Sequence, residues 1–220
     1  MLGIAVPCYK YHIPVLKRFL DSVEAQTVKP DYVVVSCSSS TQDDIPTYTY
    51  SFPLQVISFE GRLNASQNRN KAADILIGLG CTYISFFDCD DVMHPQRIQG
   101  IKEGFSAFPE TQIILHSYWC NDYELEEEFE HYNSFQYVQN NLRKAPSGCA
   151  EFIENWQGRI HHSQSSVSKG LFTIVRFREE KEFERKEDAV FCGDCLSLEI
   201  PNLYIRNPLS KYYEEGKWFS

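Results

Sequence analysis

The chain has 220 residues, of which 43% are hydrophobic and 23% are charged, and its formal net charge is −9. This length suits one domain with a substantial core, and the acidic balance excludes a surface that follows nucleic-acid phosphates. No run of about 20 apolar residues occurs, which excludes a membrane-spanning helix, and no basic leader precedes Leu2, so the sequence predicts a cytoplasmic protein or a catalytic domain from a larger one.

The first half of the chain alternates between strand-like and helix-like patterns. Short apolar runs predict buried strands, at Leu2–Pro7, Tyr32–Cys37, Leu54–Phe59, Thr82–Phe87 and Gln112–Trp119. Apolar residues at helical spacing predict helices between them, from Ile13 to Val23, at Ala65–Leu79 and from near Pro95 to Phe108. This alternation is typical of the α/β class, with a mostly parallel central sheet flanked by helices. Ligands of such sheets bind beyond the carboxyl ends of the strands.

The second half of the chain is less regular, and no linker divides it from the first. We expect β structure over Arg159–Lys169 and Arg176–Asp188, covering the open end of the sheet. The acidic stretch Glu124–Glu130 is interpreted as a solvated face or loop. Residues 1–220 are therefore predicted to form a single domain.

Three carboxylates follow the fourth predicted strand, in Asp88-Cys89-Asp90-Asp91. Carboxylates at the end of a buried strand are costly unless a positive charge lies among them. Oxygen ligands suit Mg²⁺ or Mn²⁺, which would in turn hold a diphosphate. The structural alternative is that Asp90 or Asp91 caps the helix that starts near Pro95.

An ordered series of motifs resembles the family-2 glycosyltransferases, which have the GT-A nucleotide-sugar-binding fold, a Rossmann-like arrangement. The matching segments are Val6-Pro7-Cys8-Tyr9, Ser22-Val23-Glu24-Ala25-Gln26-Thr27, Arg69-Asn70, the DxD motif Asp88–Asp90, Glu187-Asp188, and the tail from Leu203-Tyr204-Ile205 to Pro208-Leu209-Ser210. The match covers nearly the whole chain. It implies a nucleotide-sugar-binding half at residues 1–119 and a smaller acceptor-side β/α region at residues 120–220.

The resemblance also implies a reaction and the roles of particular residues. It implies metal-dependent, inverting transfer of a hexose or related sugar from a nucleotide-diphosphate donor, by default a UDP-sugar, to a hydroxyl of a glycan or other acceptor. Asp188 is the expected catalytic base, and Glu187 is the alternative candidate for that role. Asp88 and Asp90 are the expected ligands of Mn²⁺ or Mg²⁺, with His162 as a further candidate. The residues expected to contact the donor are Pro7, Tyr9, Ser36, Ser38, Asn64, Arg69, Asn70 and Asp88.

Each of these roles has a structural alternative. Without the resemblance, Arg69 reads as a surface helix arginine and Tyr9 as a core tyrosine. His161 and His162 are adjacent, so on a strand at most one of them would face the site, and a structural histidine is as reasonable there as at His94. The eight cysteines contain one CxxC pair with no second pair to complete a zinc site, and they are interpreted as buried or inert thiols.

One position departs from the family pattern. The family usually has an acidic pair after the second strand that reads the nucleotide base, and this chain has Ser36 and Cys37 there. A hydroxyl can hydrogen-bond to a base, but it does not replace the fixed charge of a carboxylate.

Two other functional classes stay open. Phosphatases of the haloacid dehalogenase type also have Asp-x-Asp after an apolar strand, although there the motif normally lies on the first strand and its first aspartate is a nucleophile. A degenerate transferase that binds a sugar or a partner without turnover would account for Ser36-Cys37. The joint presence of Asp88, Asp90 and Asp188 favours an enzyme.

Overall fold

The central element is a sheet of nine strands among residues 1–154 and 158–214, which are the residues that the computed structural model describes. Its strands are β1 (Leu2–Tyr9), β2 (Tyr32–Ser38), β3 (Leu54–Phe59), β4 (Tyr83–Phe86), β5 (Val92–Met93), β6 (Ile113–Trp119), β7 (Tyr137–Gln139), β10 (Ser166–Ser168) and β11 (Asn202–Lys211). A separate hairpin consists of β8 (Leu142–Lys144) and β9 (Ala150–Phe152). The helices are α1 (Ile13–Glu24), α2 (Ala65–Gly78), α3 (Arg97–Ala107), α4 (Asp122–Glu126), α5 (Lys169–Ile174) and α6 (Glu187–Leu196).

The first half of the sheet is parallel, as the sequence predicts. The strands β3, β2, β1 and β4 lie side by side in that order, and all pair in parallel. Leu2 to Cys8 of β1 are buried, because helices cover both faces of this part of the sheet. The ends of the predicted helices and strands differ from the observed ones by at most two residues. The α/β architecture is therefore confirmed, and the carboxyl ends of β1, β2 and β4 meet at one edge.

The prediction for the second half is wrong in two places. The expected β structure over Arg159–Lys169 is reduced to β10, which lies inside the sheet between β4 and β6 and is antiparallel to both. It fits there because Val167 is buried and the Ser166 hydroxyl donates a hydrogen bond to the Ser85 Oγ on β4, at 2.8 Å. The segment Arg176–Asp188 is not a strand, and contains a 3-10 helix at Lys181–Phe183 and the start of α6.

Two apolar cores lie on opposite faces of the sheet. One contains Leu16, Phe19 and Ile98 from the helices α1 and α3. The other packs α2, α5 and α6 around Phe86, whose ring contacts three phenylalanine rings, those of Phe172, Phe177 and Phe191. The acidic stretch after Glu124 is exposed or half-buried, which confirms its interpretation as solvated. None of the helices within the described ranges has the length and apolarity needed to cross a membrane.

The helix α6 packs closely against the turn between β8 and β9. A Cβ atom placed on Gly193 would lie 1.8 Å from the carbonyl oxygen of Gly148. We therefore expect Gly193→Ala to lower the free energy of unfolding by about 3 kcal/mol, since a backbone carbonyl cannot rotate away as a side chain can. In thermal unfolding this corresponds to a Tm decrease of roughly 6–12 °C.

The matched control is Gly78→Ala at the end of α2. No atom lies within 4 Å of a Cβ placed there, so this variant is expected to keep or slightly raise the native Tm. Equal melting temperatures for the two variants would show that the contact between α6 and the turn is loose.

Candidate active site

A cleft of about 800 Å³ opens at the carboxyl ends of the parallel strands, next to the first turns of α2 and α6. This is where the sheet topology predicts a ligand. The cleft brings together residues far apart in the sequence, and eight of the predicted site residues line it. They are Pro7, Tyr9, Asn64, Arg69, Asp88, Asp90, Glu187 and Asp188.

Arg69 joins the two acidic motifs. Its Nη2 atom lies 2.6 Å from the Asp88 Oδ1, and its Nη1 atom lies 2.7 Å from the Glu187 Oε1. The side chain is buried, which by itself would lower the pKa of Arg69, but the carboxylates of Asp88 and Glu187 raise it above the ordinary value. Arg69 is therefore a buried ionic bridge between the loop after β4 and the start of α6, and not a surface arginine.

In the Glu187-Asp188 motif, Arg69 pairs with Glu187, and the carboxylate of Asp188 stays available for a proton transfer. Its Oδ1 accepts a hydrogen bond from the backbone N–H of Ala189, at 2.7 Å, in the first turn of α6. Burial raises the pKa of Asp188, and the charge of Arg69 partly opposes that shift. A carboxylate with a raised pKa is a better proton acceptor at neutral pH than an ordinary aspartate.

Asp90 lies in a buried and acidic part of the cleft. Burial raises its pKa to about 7, and the neighbouring carboxylates of Asp88 and Asp91 add to the shift. Within residues 1–154 and 158–214, no group of three or more His, Cys, Asp or Glu side chains is placed to hold a metal ion. Mg²⁺ is commonly held by one or two carboxylates together with substrate phosphates. The donor set of Asp88 and Asp90 fits that mode of binding.

Asp91 has a different surrounding from its two neighbours. It is buried, and its carboxylate accepts hydrogen bonds from the Gln164 Nε2 at 2.7 Å and from the backbone N–H of Tyr213 at 3.0 Å. The Gln164 carbonyl in turn accepts a bond from Arg97, at 2.9 Å. Asp91 thus anchors the acidic loop to the segments around it. The capping alternative is wrong, because Gln96 is the N-cap residue of α3 and no side chain caps that helix.

Two serines expected to contact the donor are buried beneath the cleft. The Ser36 hydroxyl donates to the Asn68 Oδ1 at 2.9 Å, and the Asn68 Nδ2 donates to the Ser38 Oγ at 3.1 Å. Both serines are fully buried and are not among the residues that line the cleft, whereas Asn68 is. The hydroxyls of Ser36 and Ser38 therefore orient Asn68, and their expected contact with the donor stays a prediction.

Asn70 also lies outside the cleft wall. Its amide donates to the Phe177 carbonyl at 2.9 Å and to the Glu179 Oε1 at 2.8 Å, and it accepts from the Phe177 N–H. These bonds attach the charged segment to α2, and the expected contact of Asn70 with the donor stays a prediction. Asn64 lines the cleft, but its side chain caps α2 and donates to the Glu179 carbonyl.

Two of the histidines, His162 and His94, have partners inside the protein. His162 is the first residue of a 3-10 helix and does not lie on a strand. Its Nε2 lies 3.3 Å from the Ala150 carbonyl oxygen, and the residue is outside the cleft wall. The expected role of His162 as a metal ligand stays a prediction. His94 is buried and stacked on Tyr132 with ring centroids 4.5 Å apart, and burial lowers its pKa to about 4.

Several cleft residues were missed by the sequence analysis. They are Arg62, Arg185, His12, Asn68, Tyr212 and Tyr213. The two arginines are exposed, and Arg185 has a left-handed backbone with φ of 73° directly before α6. Neither has a salt bridge among the described residues. No local sequence pattern marks these six positions. Tyr212 and Tyr213, for example, directly follow β11 and reach the cleft because that strand pairs with β6 and β5.

A model of the family described as Glycosyl transferase family 2 matches residues 3–195. An "Uncharacterized glycosyltransferase" from Haemophilus influenzae is 30% identical over 122 residues, which are 54% of this chain and 40% of that protein.

Solved structures of S. aureus TarS are similar in fold. The structure of its residues 1–349 in complex with UDP has a TM-score of 0.65 and 14% identity, covering 99% of this chain and 62% of that one. The complex with UDP-GlcNAc also has a TM-score of 0.65 and 14% identity, covering 97% of this chain and 58% of that one. The chain thus spans less than two thirds of the length of these relatives.

Proposed function

This chain belongs to glycosyl transferase family 2, and from that premise we propose that it transfers a sugar from a nucleotide-diphosphate donor to an acceptor hydroxyl. The observation that carries the proposal is the bridge of Arg69, which places Asp88 of the acidic loop and Glu187 of α6 in one cleft. The same bridge leaves Asp188 available beside them.

Asp188 is proposed as the general base. Its carboxylate takes the proton of the acceptor hydroxyl while the hydroxyl oxygen bonds to the anomeric carbon. The bond from that carbon to the diphosphate oxygen breaks, and its electron pair leaves with the diphosphate. One displacement of this kind inverts the configuration at the anomeric carbon. Glu187 is not the proposed base, because its carboxylate is held by Arg69 at 2.7 Å.

Asp88 and Asp90 are proposed to hold Mn²⁺ or Mg²⁺, which when bound supplies positive charge to the departing diphosphate. The excess negative charge around Asp90, whose pKa is raised to about 7 by burial and by two neighbouring carboxylates, supports this assignment. Arg62 and Arg185, both exposed in the cleft wall, provide further positive charge for phosphate oxygens.

A UDP-sugar is the proposed donor. The support is the fold shared with TarS, whose solved structures contain UDP and UDP-GlcNAc. The base end of the cleft in this chain has Asn68 oriented by Ser36 and Ser38 in place of an acidic pair. The amide hydrogens of Asn68 are used by the Ser38 hydroxyl and the Cys8 carbonyl, so this side chain has only the second lone pair of its Oδ1 to accept a hydrogen bond from a base.

The experiment that tests this function is calorimetric binding of a panel of nucleotide-sugars with Mn²⁺, with Mg²⁺ and with EDTA. We expect one donor to bind in the presence of metal and to bind at least about tenfold more weakly in EDTA, a difference of about 1.4 kcal/mol. Asp90→Asn is expected to remove that metal-dependent gain, because the amide replaces an anionic oxygen ligand with a neutral one.

The matched control is Asp43→Asn, an exposed aspartate in the 3-10 helix Gln42–Asp44, far from the acidic loop in sequence. It removes the same charge and is expected to bind donor and metal as the native chain does. Absence of any nucleotide binding in the presence of metal would refute the proposed donor class.

The phosphatase alternative has less support in the site. Its mechanism requires the first aspartate of the motif to attack a phosphate from the end of the first strand, whereas Asp88 follows β4, the fourth strand of the chain. The binding module without turnover is separated from the enzyme by substitution of Asp188, as described in the Discussion.

A further inference from the structure

Three thiols from separate parts of the sequence meet at the base of the cleft. Cys8 lies near the end of β1, Cys37 near the end of β2, and Cys89 directly after Asp88. Their side chains are 3%, 0% and 2% exposed, and Cys8 and Cys89 also line the cleft. All eight cysteines of the chain are free thiols. A reagent of about the size of water would therefore reach Cys8 from the cleft. Cys37, the partner of Cys8 on the adjacent strand, lies next to it.

Cys8 and Cys37 are aligned for a covalent link. They are direct partners in the parallel register of β1 and β2, so their side chains leave the same face of the sheet. Neighbouring strands are about 4.8 Å apart, which lies within the Cα separation of roughly 4.4–6.8 Å that a disulfide spans. The Cys8 thiol donates a hydrogen bond to the Tyr9 carbonyl, at 3.6 Å, and its interactions with the neighbouring thiols of Cys37 and Cys89 raise the pKa of Cys8.

We propose that Cys8 and Cys37 form an oxidant-sensitive modification site, which closes to a disulfide when a hydroperoxide enters the cleft. The Cys8 sulfur, which lines the cleft, gives up its proton and attacks one peroxide oxygen; the O–O bond breaks, and the released hydroxide takes that proton to become water. The Cys37 sulfur then bonds to the Cys8 sulfur, and the second oxygen is expelled and leaves as water with the proton of Cys37. In balance, two thiols and one hydrogen peroxide yield one disulfide and two water molecules. A dithiol reverses the reaction by exchange.

The other cysteine pairs meet these conditions less well. Cys192 and Cys195 have CxxC spacing on α6, but both are buried outside the cleft wall. Cys120 and Cys149 are partly exposed and lie outside the described cleft wall. The Cys8–Cys37 pair alone combines access from the cleft with register pairing across adjacent strands.

The disulfide would act on the donor end of the site, a consequence that rests on the proposed function. Cys8 lies between Pro7 and Tyr9, both of which line the cleft. A link to Cys37 would remove the hydrogen bond from the Cys8 thiol to the Tyr9 carbonyl and so change the position of Tyr9. We expect the oxidised chain to bind a UDP-sugar at least about tenfold more weakly, with recovery after treatment by dithiothreitol.

The test is peptide mapping of the native chain after treatment with hydrogen peroxide. The reaction is quenched with catalase, free thiols are alkylated under denaturing conditions, and linked peptides are identified by mass spectrometry without reduction. The expected result is one dominant linked pair, the peptides of Cys8 and Cys37, with a loss of two hydrogen atoms that dithiothreitol restores. Cys37→Ala should remove the linked pair.

The matched control is Cys149→Ala, which removes a partly exposed thiol outside the cleft wall and should leave the linkage unchanged. A dominant Cys8–Cys89 or Cys192–Cys195 link, or retention of alkylatable Cys8 and Cys37 while other thiols oxidise, would overturn the proposal. If Cys37→Ala fails to fold, Cys37→Ser provides the same readout. Peptide mapping needs no donor. It therefore tests the thiol pair even if the chain binds no nucleotide-sugar and the proposed function fails.

Discussion

An Asp188→Asn variant is expected to transfer sugar roughly 10²–10⁴ times more slowly than the native chain while it still binds the donor. The amide keeps the size of the side chain but cannot accept the hydroxyl proton. Because burial raises the pKa of Asp188, the native rate should rise with pH as this carboxylate loses its proton, with a midpoint above the ordinary range for aspartate. That limb of the pH–rate profile should be absent in the variant. Steady-state kinetics across pH, together with calorimetric donor binding, measure both effects.

The matched control for this prediction is Asp194→Asn on the same helix, α6. Asp194 pairs with Lys144 and Arg178 at 2.8 Å outside the cleft, so its substitution removes the same charge without touching the proposed base. It is expected to keep the native rate. If the native chain and the Asp188→Asn variant bind donor equally and neither shows turnover, the chain is a binding module and not an enzyme.

Arg69→Met is expected to lower the free energy of unfolding by about 3–5 kcal/mol, the usual cost of removing one partner from a buried ionic pair. The methionine approximates the shape of the arginine stem, but Asp88 and Glu187 lose the only cation that the structure places against both of them among the described residues. Thermal unfolding should then show a Tm roughly 6–20 °C lower. Donor binding should weaken as well, since the acidic loop and α6 are no longer joined.

Arg176→Met is the control for Arg69. Arg176 makes an equally short, two-bond contact with Asp74 on the surface, at 2.6 and 2.8 Å. Exposed ion pairs contribute about 0–1 kcal/mol, so this variant should lose little stability. The role assigned to Arg69 is wrong if the two variants unfold at the same temperature. A double variant, Arg69→Met with Glu187→Gln, should regain part of the loss because one buried charge is removed.

Local patterns in the sequence were sufficient for the first half of the fold. Buried parallel strands and amphipathic helices have periodicities that depend on neighbouring residues alone, so the strands at Leu2–Tyr9 and Leu54–Phe59 and the helix at Ala65–Gly78 were predicted closely. The acidic cluster after β4 was also identified, because three adjacent carboxylates after an apolar run are conspicuous in any sequence. The family motifs then indicated Asp188 as the base.

The second half depended on contacts that no local pattern records. The strand Ser166–Ser168 is too short and too polar to be recognised, and it is a strand because it fills the space between β4 and β6. The segment after Arg176 is irregular because Asn70, more than one hundred residues earlier, binds its backbone. Tyr212 and Tyr213 reach the cleft for the same reason, through the pairing of β11.

The sequence by itself thus determined the fold class, the edge of the sheet that carries the site, and the acidic residues within it, since each of these depends on residue type and short spacing. Only the tertiary structure decided what each polar side chain does. Ser36, Ser38, Asn70 and His162 were plausible contacts by residue type, yet their hydrogen-bonding atoms are used inside the protein. The physical reason is that a buried polar group must be satisfied by whichever partner folding brings near. That partner is fixed by long-range packing, as the bridge from Arg69 to Asp88 and Glu187 illustrates.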